Sequence, residues 1–284
     1  MKFSLIISTL GRKEELVNLF ESLQRQDEKD FEVILVDQND AGFLKEISSI
    51  RWNFPLTHVR KPGQRGASRG RNSGVEYAIG DFLLFPDDDC WYPNWFLTRA
   101  LDLFEKNRCD ILVGRAAEPV TARPVNGRFC NRPVWVNREN VFKTQIEWVA
   151  CFKRELFLHI GGFDEDVGTG SSTPWQSSEG PEITLRAIES GHRVYYSNEF
   201  YGYHKELEIK NPNAEMIKKG RAYARGYGYV MVKHNYRLYQ KAMIVLKPLF
   251  SVIKSLIELN SRAAKYHANV ILGRYEGLGR KLIG

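Results

Sequence analysis

The sequence predicts an α/β fold: a mostly parallel sheet with helices on both faces, followed by a helical, basic C-terminal extension. Three observations lead there. Between residues 3 and 116, short β-branched runs alternate with segments of helical periodicity, the pattern of strand–helix–strand crossovers. From Ala214 onward the apolar spacing is helical throughout. Charge divides the same way: residues 205–284 hold sixteen Lys and Arg against five Asp and Glu, so within a net charge of +7 the rest of the chain is slightly acidic.

Each element has its own signal. Phe3–Thr9 is an apolar, β-branched run and reads as the first strand. Residues 14–26 place Leu16, Leu19, Phe20 and Leu23 on one helical face. Phe31–Asp37 is the second strand, 43–50 a short helix and Leu56–Arg60 the third strand. A helix over 67–79, a fourth strand over 81–85, a helix over 95–105 and a strand over 110–116 complete the alternation. From 118 to 147 the pattern is broken by Pro119, Pro124 and Pro133, and a stretch this long without periodicity is functional or mobile. A strand-like run returns at 148–152. A short helix over 155–160 stops at Gly161-Gly162, and 168–172 is a loop. Pro181 suits the first turn of a helix reaching about Ser190. The last clear strand is 193–196, with His204 beyond it. In the tail, Tyr223, Tyr227 and Met231, then Val245, Leu249, Val252, Leu256 and Leu259, keep helical spacing, and Pro248 predicts a kink.

Composition excludes several classes. A hydrophobic fraction of 43% and a charged fraction of 26% describe an ordinary globular protein, not a disordered one. No run approaches the roughly 18 apolar residues of a membrane span, and the apolar stretch 3–8 is too short for a signal-peptide core. A cytoplasmic location is expected. Cys90, Cys109, Cys130 and Cys151 form no Cys-x-x-Cys pair, so zinc and redox motifs lack support, and Cys109 and Cys151 read as buried thiols.

The run Phe85-Pro86-Asp87-Asp88-Asp89 is the feature richest in chemistry. Three adjacent carboxylates repel one another, and a divalent cation with a diphosphate behind it would explain them. Magnesium and manganese take oxygen ligands and use one or two carboxylates plus substrate phosphates. The plainer alternative is an acidic loop after a strand. In parallel sheets, ligands bind beyond the carboxyl ends of the strands. Thr9, Asp37 and Asp87–Asp89 all fall there. So does the start of the helix after Gly66, with Arg69, Arg71 and Asn72, where guanidinium groups and a helix N-terminus favour anionic oxygen. Together these features point to a nucleotide–metal site.

The order of motifs resembles a known family. Ser8-Thr9 with Arg12, then Asp37, then Gly66-x-x-x-x-Arg71-Asn72-x-Gly74, then Phe85-Pro86-Asp87-Asp88-Asp89-x-Trp91-x-Pro93, then Gly161-Gly162-Phe163-Asp164-Glu165 and Glu179 ahead of Arg186 look like family-two glycosyltransferases with the GT-A fold, a Rossmann-like sheet. The resemblance spans about residues 3–204. It implies an inverting, metal-dependent hexosyl transfer from a nucleoside-diphosphate sugar to a saccharide or lipid-linked acceptor, as in bacterial surface-polysaccharide synthesis. By it, Thr9, Arg12 and Asp37 would hold base and ribose, Arg71, Asp87 and Asp88 would complete the donor site, and Asp89, with Asp87 and His204, would hold Mn2+ or Mg2+. The catalytic base would be Glu179 or Glu182. Glu179 is preferred because it precedes the helix and can project into a cleft, whereas Glu182 is spaced to pair with Arg186. Gly180 stands where the family carries Asp. The implied domains are a catalytic domain over 1–210 (donor half about 1–117, acceptor half about 118–210) and an extension over 211–284. Trp148, Trp175 and the 118–147 segment are candidates to shape the acceptor site, and Trp148 is equally a candidate for the core.

Three other classes compete. A sugar nucleotidylyltransferase would carry a Gly-rich loop after the first strand, but Ser8-Thr9-Leu10-Gly11-Arg12 has one glycine. A nucleotide-sugar-binding protein without catalysis fits Gly180. A nucleic-acid binder would use the basic tail, but no stacking motif accompanies it. The tail itself reads either as amphipathic helices on the inner face of a membrane or as helices packed on protein.

Overall fold

The computed structural model describes residues 1–207 and 211–282. The expected boundary at 210 falls on residues outside that range. Contacts divide the chain into two compact units: Met1–Phe163 with Ile183–Glu206, and Asp164–Glu182 with Leu207–Gly284.

The first unit is built on a sheet of eight strands: β1 (Phe3–Thr9), β2 (Phe31–Asp37), β3 (Leu56–Arg60), β4 (Phe82–Leu84), β5 (Ile111–Ala117), β6 (Val134–Trp135), β7 (Ala150–Lys153) and β8 (Val194–Tyr203). Their spatial order is β3-β2-β1-β4-β7-β5-β8-β6. The pairs β1–β2, β1–β4, β2–β3 and β5–β8 are parallel. β7 lies antiparallel between β4 and β5, and β6 antiparallel on β8. The helices of this unit are α1 (Glu14–Gln24), α2 (Lys45–Ser49), α3 (Ala67–Val75), α4 (Phe96–Asn107) and α5 (Arg154–His159). α6 (Glu179–Glu189) starts in the second unit's segment and ends in the first's.

Strand alternation decides what each face buries. Phe3, Leu5 and Ile7 of β1 join Leu16, Leu19 and Phe20 of α1 and Phe96 and Leu97 of α4 in one apolar cluster. The other face of β1 takes α3 at very short range. A Cβ on Gly70 would stand 2.0 Å from Ser8 Oγ, and one on Gly74 would stand 2.3 Å from Ile6 Cγ2. Two glycines one turn apart therefore let α3 lie against the end of β1, which brings Arg71 to the carboxyl edge. Cys109 and Cys151 are buried thiols, as expected, and burial pushes Cys109 up to about 12.

The elements depart from expectation in places: β6 lies within the stretch 118–147 that showed no periodicity, and β8 is longer than expected. β8 continues past Tyr196 to Tyr203, because a bulge interrupts it: Val113 pairs with Tyr196, but Arg115 pairs with Tyr201. The polar residues Ser197–Glu199 disguised the continuation. Gly114 accommodates the bulge, since a Cβ there would stand 2.0 Å from the Phe200 carbonyl oxygen. β7 falls on the expected strand-like run, and its antiparallel direction is one that no periodicity could reveal.

The second unit holds α7 (Ala214–Lys233), α8 (Leu238–Ile257) and α9 (Ser261–Gly279). Asn213 starts α7 by accepting a hydrogen bond from the Met216 amide at 2.8 Å. Glu276 of α9 is buried and carries Arg221 and Arg225 of α7, the latter at 2.6 Å. α8 runs through Pro248. Its Leu246, Phe250 and Ile257 are exposed. Trp175 stacks on Tyr229 at 4.6 Å.

Candidate active site

The fourth strand empties into the acidic run at the edge where β1 and β2 also end. Ser8 pairs with Asp87 in an isolated parallel bridge, and Thr9 faces Asp37 across β1–β2. The three carboxylates of the run are each held by neighbouring side chains. Arg71 is buried and donates from Nη2 to Asp87 Oδ1 at 2.5 Å. Thr9 donates from Oγ1 to Asp88 Oδ2 at 2.7 Å. Arg12 bridges the other two, with Nε 3.2 Å from Asp88 Oδ1 and Nη1 2.7 Å from Asp89 Oδ2. His204 Nε2 lies 3.5 Å from Asp89 Oδ1. The fold therefore brings together Thr9, Arg12, Arg71, Asp87, Asp88, Asp89 and His204.

Charge is concentrated here. Burial pushes the Asp87 carboxyl up; Arg71 opposes the rise and Asp89 adds to it. Burial likewise raises Asp88 to about 7, against Thr9 and Arg12, with Asp87 and Asp89 adding to the rise. Burial works against charge on Arg12 and on His204, yet the carboxylates beside them hold both above their ordinary values. Carboxylate oxygens with one imidazole nitrogen make a hard donor set that fits magnesium or manganese. Among the described residues no three His, Cys, Asp or Glu side chains already stand in metal-holding geometry. Arg12 Nη1 stands beside Asp89, and its side chain is 37% exposed.

Asp37 has neighbours at both of its oxygens. It accepts from the Asn39 amide at 2.9 Å and from Asn39 Nδ2 at 2.8 Å, and His58 Nε2 lies 3.0 Å from its other oxygen. Asn39 in turn accepts from the Gly11 amide at 2.6 Å, tying the loop after β1 to the loop after β2. Sequence reasoning missed both partners. Asn39 had a signal, a side chain two residues after Asp37 in a turn. His58 had none, because its placement depends on the β2–β3 register.

His204 follows β8. Its amide bonds the Ala117 carbonyl at 3.2 Å, and Nδ1 contacts the Lys205 carbonyl at 2.6 Å and Asn126 Nδ2 at 3.0 Å. Trp148 is a core residue: it is 3% exposed and its carbonyl accepts from Tyr92 Oη at 2.5 Å. Its ring centroid is also 5.9 Å from that of His204.

Glu179 is the first residue of α6 and is buried. Burial pushes the Tyr223 phenol up, and the charge of Glu179 acts in the same direction. Glu182, one turn on, is fully buried, with Lys233 Nζ at 2.6 Å and His234 Nε2 at 3.7 Å. Arg186 donates to the carbonyls of Ile160 at 2.5 Å and Gly162 at 2.6 Å.

Known proteins resemble this chain in sequence or in fold. An uncharacterized glycosyltransferase of Haemophilus influenzae is 26% identical over 280 residues, covering 94% of this chain and 89% of that protein. The GalNAc(5)-diNAcBac-PP-undecaprenol beta-1,3-glucosyltransferase of Campylobacter jejuni is 33% identical over 272 residues, covering 85% and 87%. Among solved structures, the mannosyltransferase PcManGT of Pyrobaculum calidifontis, in complex with GDP-Man and Mn2+, superposes with a TM-score of 0.67 at 15% identity, over 99% of this chain and 88% of that one. Staphylococcus aureus TarS 1–349 with UDP-GlcNAc gives 0.58 at 17% identity, over 99% and 93%. These likenesses establish a GT-A fold. The family model for glycosyl transferase family 2 matches residues 4–151, which run from the first strand through the acidic triplet to β7, and the chain belongs to that family of glycosyltransferases.

Proposed function

We propose that the protein moves a hexosyl unit from a nucleoside-diphosphate sugar to a hydroxyl of a saccharide or lipid-linked acceptor, with inversion and with Mn2+ or Mg2+. The observation that carries this reading is the acidic triplet, held by Thr9, Arg12 and Arg71 at the edge where β1, β2 and β4 end.

In this reading Thr9, Arg12 and Asp37 bind base and ribose. Asp87 and Asp88 line the donor site, with Arg71 holding Asp87 in place. Asp89, with Asp87 and His204, holds the cation. When bound, the cation neutralises charge growing on the departing diphosphate. Glu179 takes the proton of the acceptor hydroxyl as its oxygen bonds to the anomeric carbon and the bond to the diphosphate oxygen breaks. Proton transfer of this kind contributes about 100- to 10,000-fold. A single displacement from one face inverts the centre. Glu182, inside α6, pairs with Lys233, and Glu179 is preferred as the base because it opens that helix. Gly180 after Glu179 supports one competing reading, a nucleotide-sugar binder without turnover.

We assign the donor half to about 1–117, the acceptor half to about 118–210 and a helical extension to 211–284. Two relatives suggest a lipid-linked acceptor by name: the Campylobacter undecaprenol enzyme and, at 28% identity, a glucosyl-dolichyl phosphate glucuronosyltransferase of Haloferax volcanii. No helix among the described residues is long and apolar enough to cross a membrane. α8 exposes Leu246, Phe250, Ile253 and Ile257 and carries Lys241, Lys247 and Lys254, the composition of a helix lying in an anionic membrane interface. On this reading the enzyme works at the inner face of the membrane in surface-polysaccharide synthesis.

A thermal-shift screen of nucleotide sugars with and without Mn2+ tests the proposal, because a ligand selective for the native state raises Tm. One donor raising Tm only with metal, and hydrolysed slowly, supports the enzyme. Binding with no hydrolysis and no transfer supports the binder.

A further inference from the structure

An open cleft of the first unit lies beside the bulge in β8. It measures about 470 Å³, and its lining includes Asp27, Trp95, Arg99, Arg115, Glu199 and Tyr201. None of these belongs to the acidic site. Arg115 fastens the bulge by donating from Nε to the Asn198 carbonyl at 2.6 Å and from Nη1 to the Ala122 carbonyl at 2.8 Å, and its guanidinium lies over the Tyr201 ring at 4.8 Å.

A row of aromatic side chains leads from this cavity to the acidic site. Trp95 meets Tyr201 edge-on at 5.1 Å, Tyr201 meets Tyr203 at 5.8 Å, and Tyr203 meets Trp91 at 6.2 Å. Trp91 then lines the small pocket that contains Arg12, Asp89 and His204. Backbone pairing sets part of the row: Trp91 and Tyr203 form an antiparallel bridge, and Tyr201 and Tyr203 share one face of β8. Phe96 and Phe200, beside it in sequence, are buried, whereas Trp91, Trp95, Tyr201 and Tyr203 all keep accessible surface. Part-exposed rings beside a cleft present apolar surface that a ligand can cover.

The rim identifies the ligand class. Asp27, Asp102 and Glu199 stand with Arg99 and Arg115 around the cavity, and Arg99 pairs with Glu199 at 2.9 Å. Three acids against two bases do not suit a polyphosphate or nucleic acid, which needs a surplus of positive charge. Aromatic faces with adjacent carboxylates and guanidinium forks suit sugar rings, which present C–H faces and a rim of hydroxyls that both donate and accept.

We propose that Trp91, Tyr203, Tyr201 and Trp95 form a track for an extended acceptor saccharide, with its distal sugars in the Trp95–Tyr201 cavity and its growing end at Asp89 and His204. The direction of the chain rests on the transferase reading above; saccharide binding in the cavity does not.

The test is titration of the full chain with cello-, laminari- and chito-oligosaccharides from mono- to pentasaccharide, followed by calorimetry, with UDP and GDP titrated in parallel. The expected result is affinity that rises with chain length in at least one series. Trp95→Ala and Tyr201→Ala should each weaken the longest probe about tenfold, leave nucleotide binding unchanged, and show wild-type circular dichroism. Trp95→Phe should restore much of the loss. Affinity independent of length, no binding by any series, or Trp95→Ala equal to wild type would overturn the track. Length-dependent saccharide binding with no nucleotide binding would instead retain the track and remove the transferase reading.

Discussion

Arg71 Nη2 lies 2.5 Å from Asp87 Oδ1, joining the second turn of α3 to the end of β4. The guanidinium is buried, while the Asp87 side chain keeps about a third of its surface, 32%. Replacing Arg71 by Met leaves a carboxylate in a site that already disfavours its charge. We expect a loss on the order of 2 to 4 kcal/mol by urea denaturation, together with weaker nucleotide-sugar binding. Full stability in Arg71→Met would mean that Asp87 does not depend on its partner.

Gly70 makes that pairing possible by bringing α3 against β1. Gly70→Ala places a methyl 2.0 Å from Ser8 Oγ. Helix propensity alone favours alanine by up to about 1 kcal/mol, but overpacking costs about 1–3 kcal/mol. A lower Tm and weaker donor binding are expected together. A raised Tm would show that the helix can back away freely.

Asp110 offers a pH test away from the candidate site. Its burial opposes ionisation, but the Arg193 amide at 3.0 Å and Lys153 Nζ at 2.9 Å hold the carboxyl below its ordinary value. A depressed folded pKa stabilises above the unfolded value of about 4 and fades as pH falls through the folded one. Wild type should therefore exceed Asp110→Asn by about 1 kcal/mol or less near neutrality, and the difference should vanish in acid. Chemical denaturation at several pH values measures this; a difference that grows on acidification contradicts it.

Glu179→Gln separates binding from turnover. Donor affinity should stay within a few-fold while transfer falls by about 100-fold or more. Normal sugar transfer by this variant would remove Glu179 from the base role and return attention to Glu182.

Much of the donor edge was legible because its signals are local. β1 and β2 follow largely apolar runs, and Asp87–Asp89 comes just after the apolar residues of β4. The partners of these residues were less legible, since they are set by register and close packing: His58 reaches Asp37 only through the β2–β3 pairing, and Arg71 reaches Asp87 only because Gly70 and Gly74 admit α3. The bulge in β8 was hidden for a different reason. Ser197, Asn198 and Glu199 look like the end of a strand, although the chain resumes pairing at Tyr201 and delivers His204 beside Asp89. The grouping of Asp164–Glu182 with the helical tail also has no sequence signal, because it depends on contacts far apart along the chain.

Calorimetric titration of nucleoside-diphosphate sugars into wild type and Asp89→Ala, each with Mn2+ and with chelator, addresses the acidic triplet most directly. Wild type should bind a donor with metal and lose at least tenfold in affinity without it, and Asp89→Ala should bind weakly in both conditions. Equal donor binding by both proteins, indifferent to metal, would contradict a cation held at the end of β4.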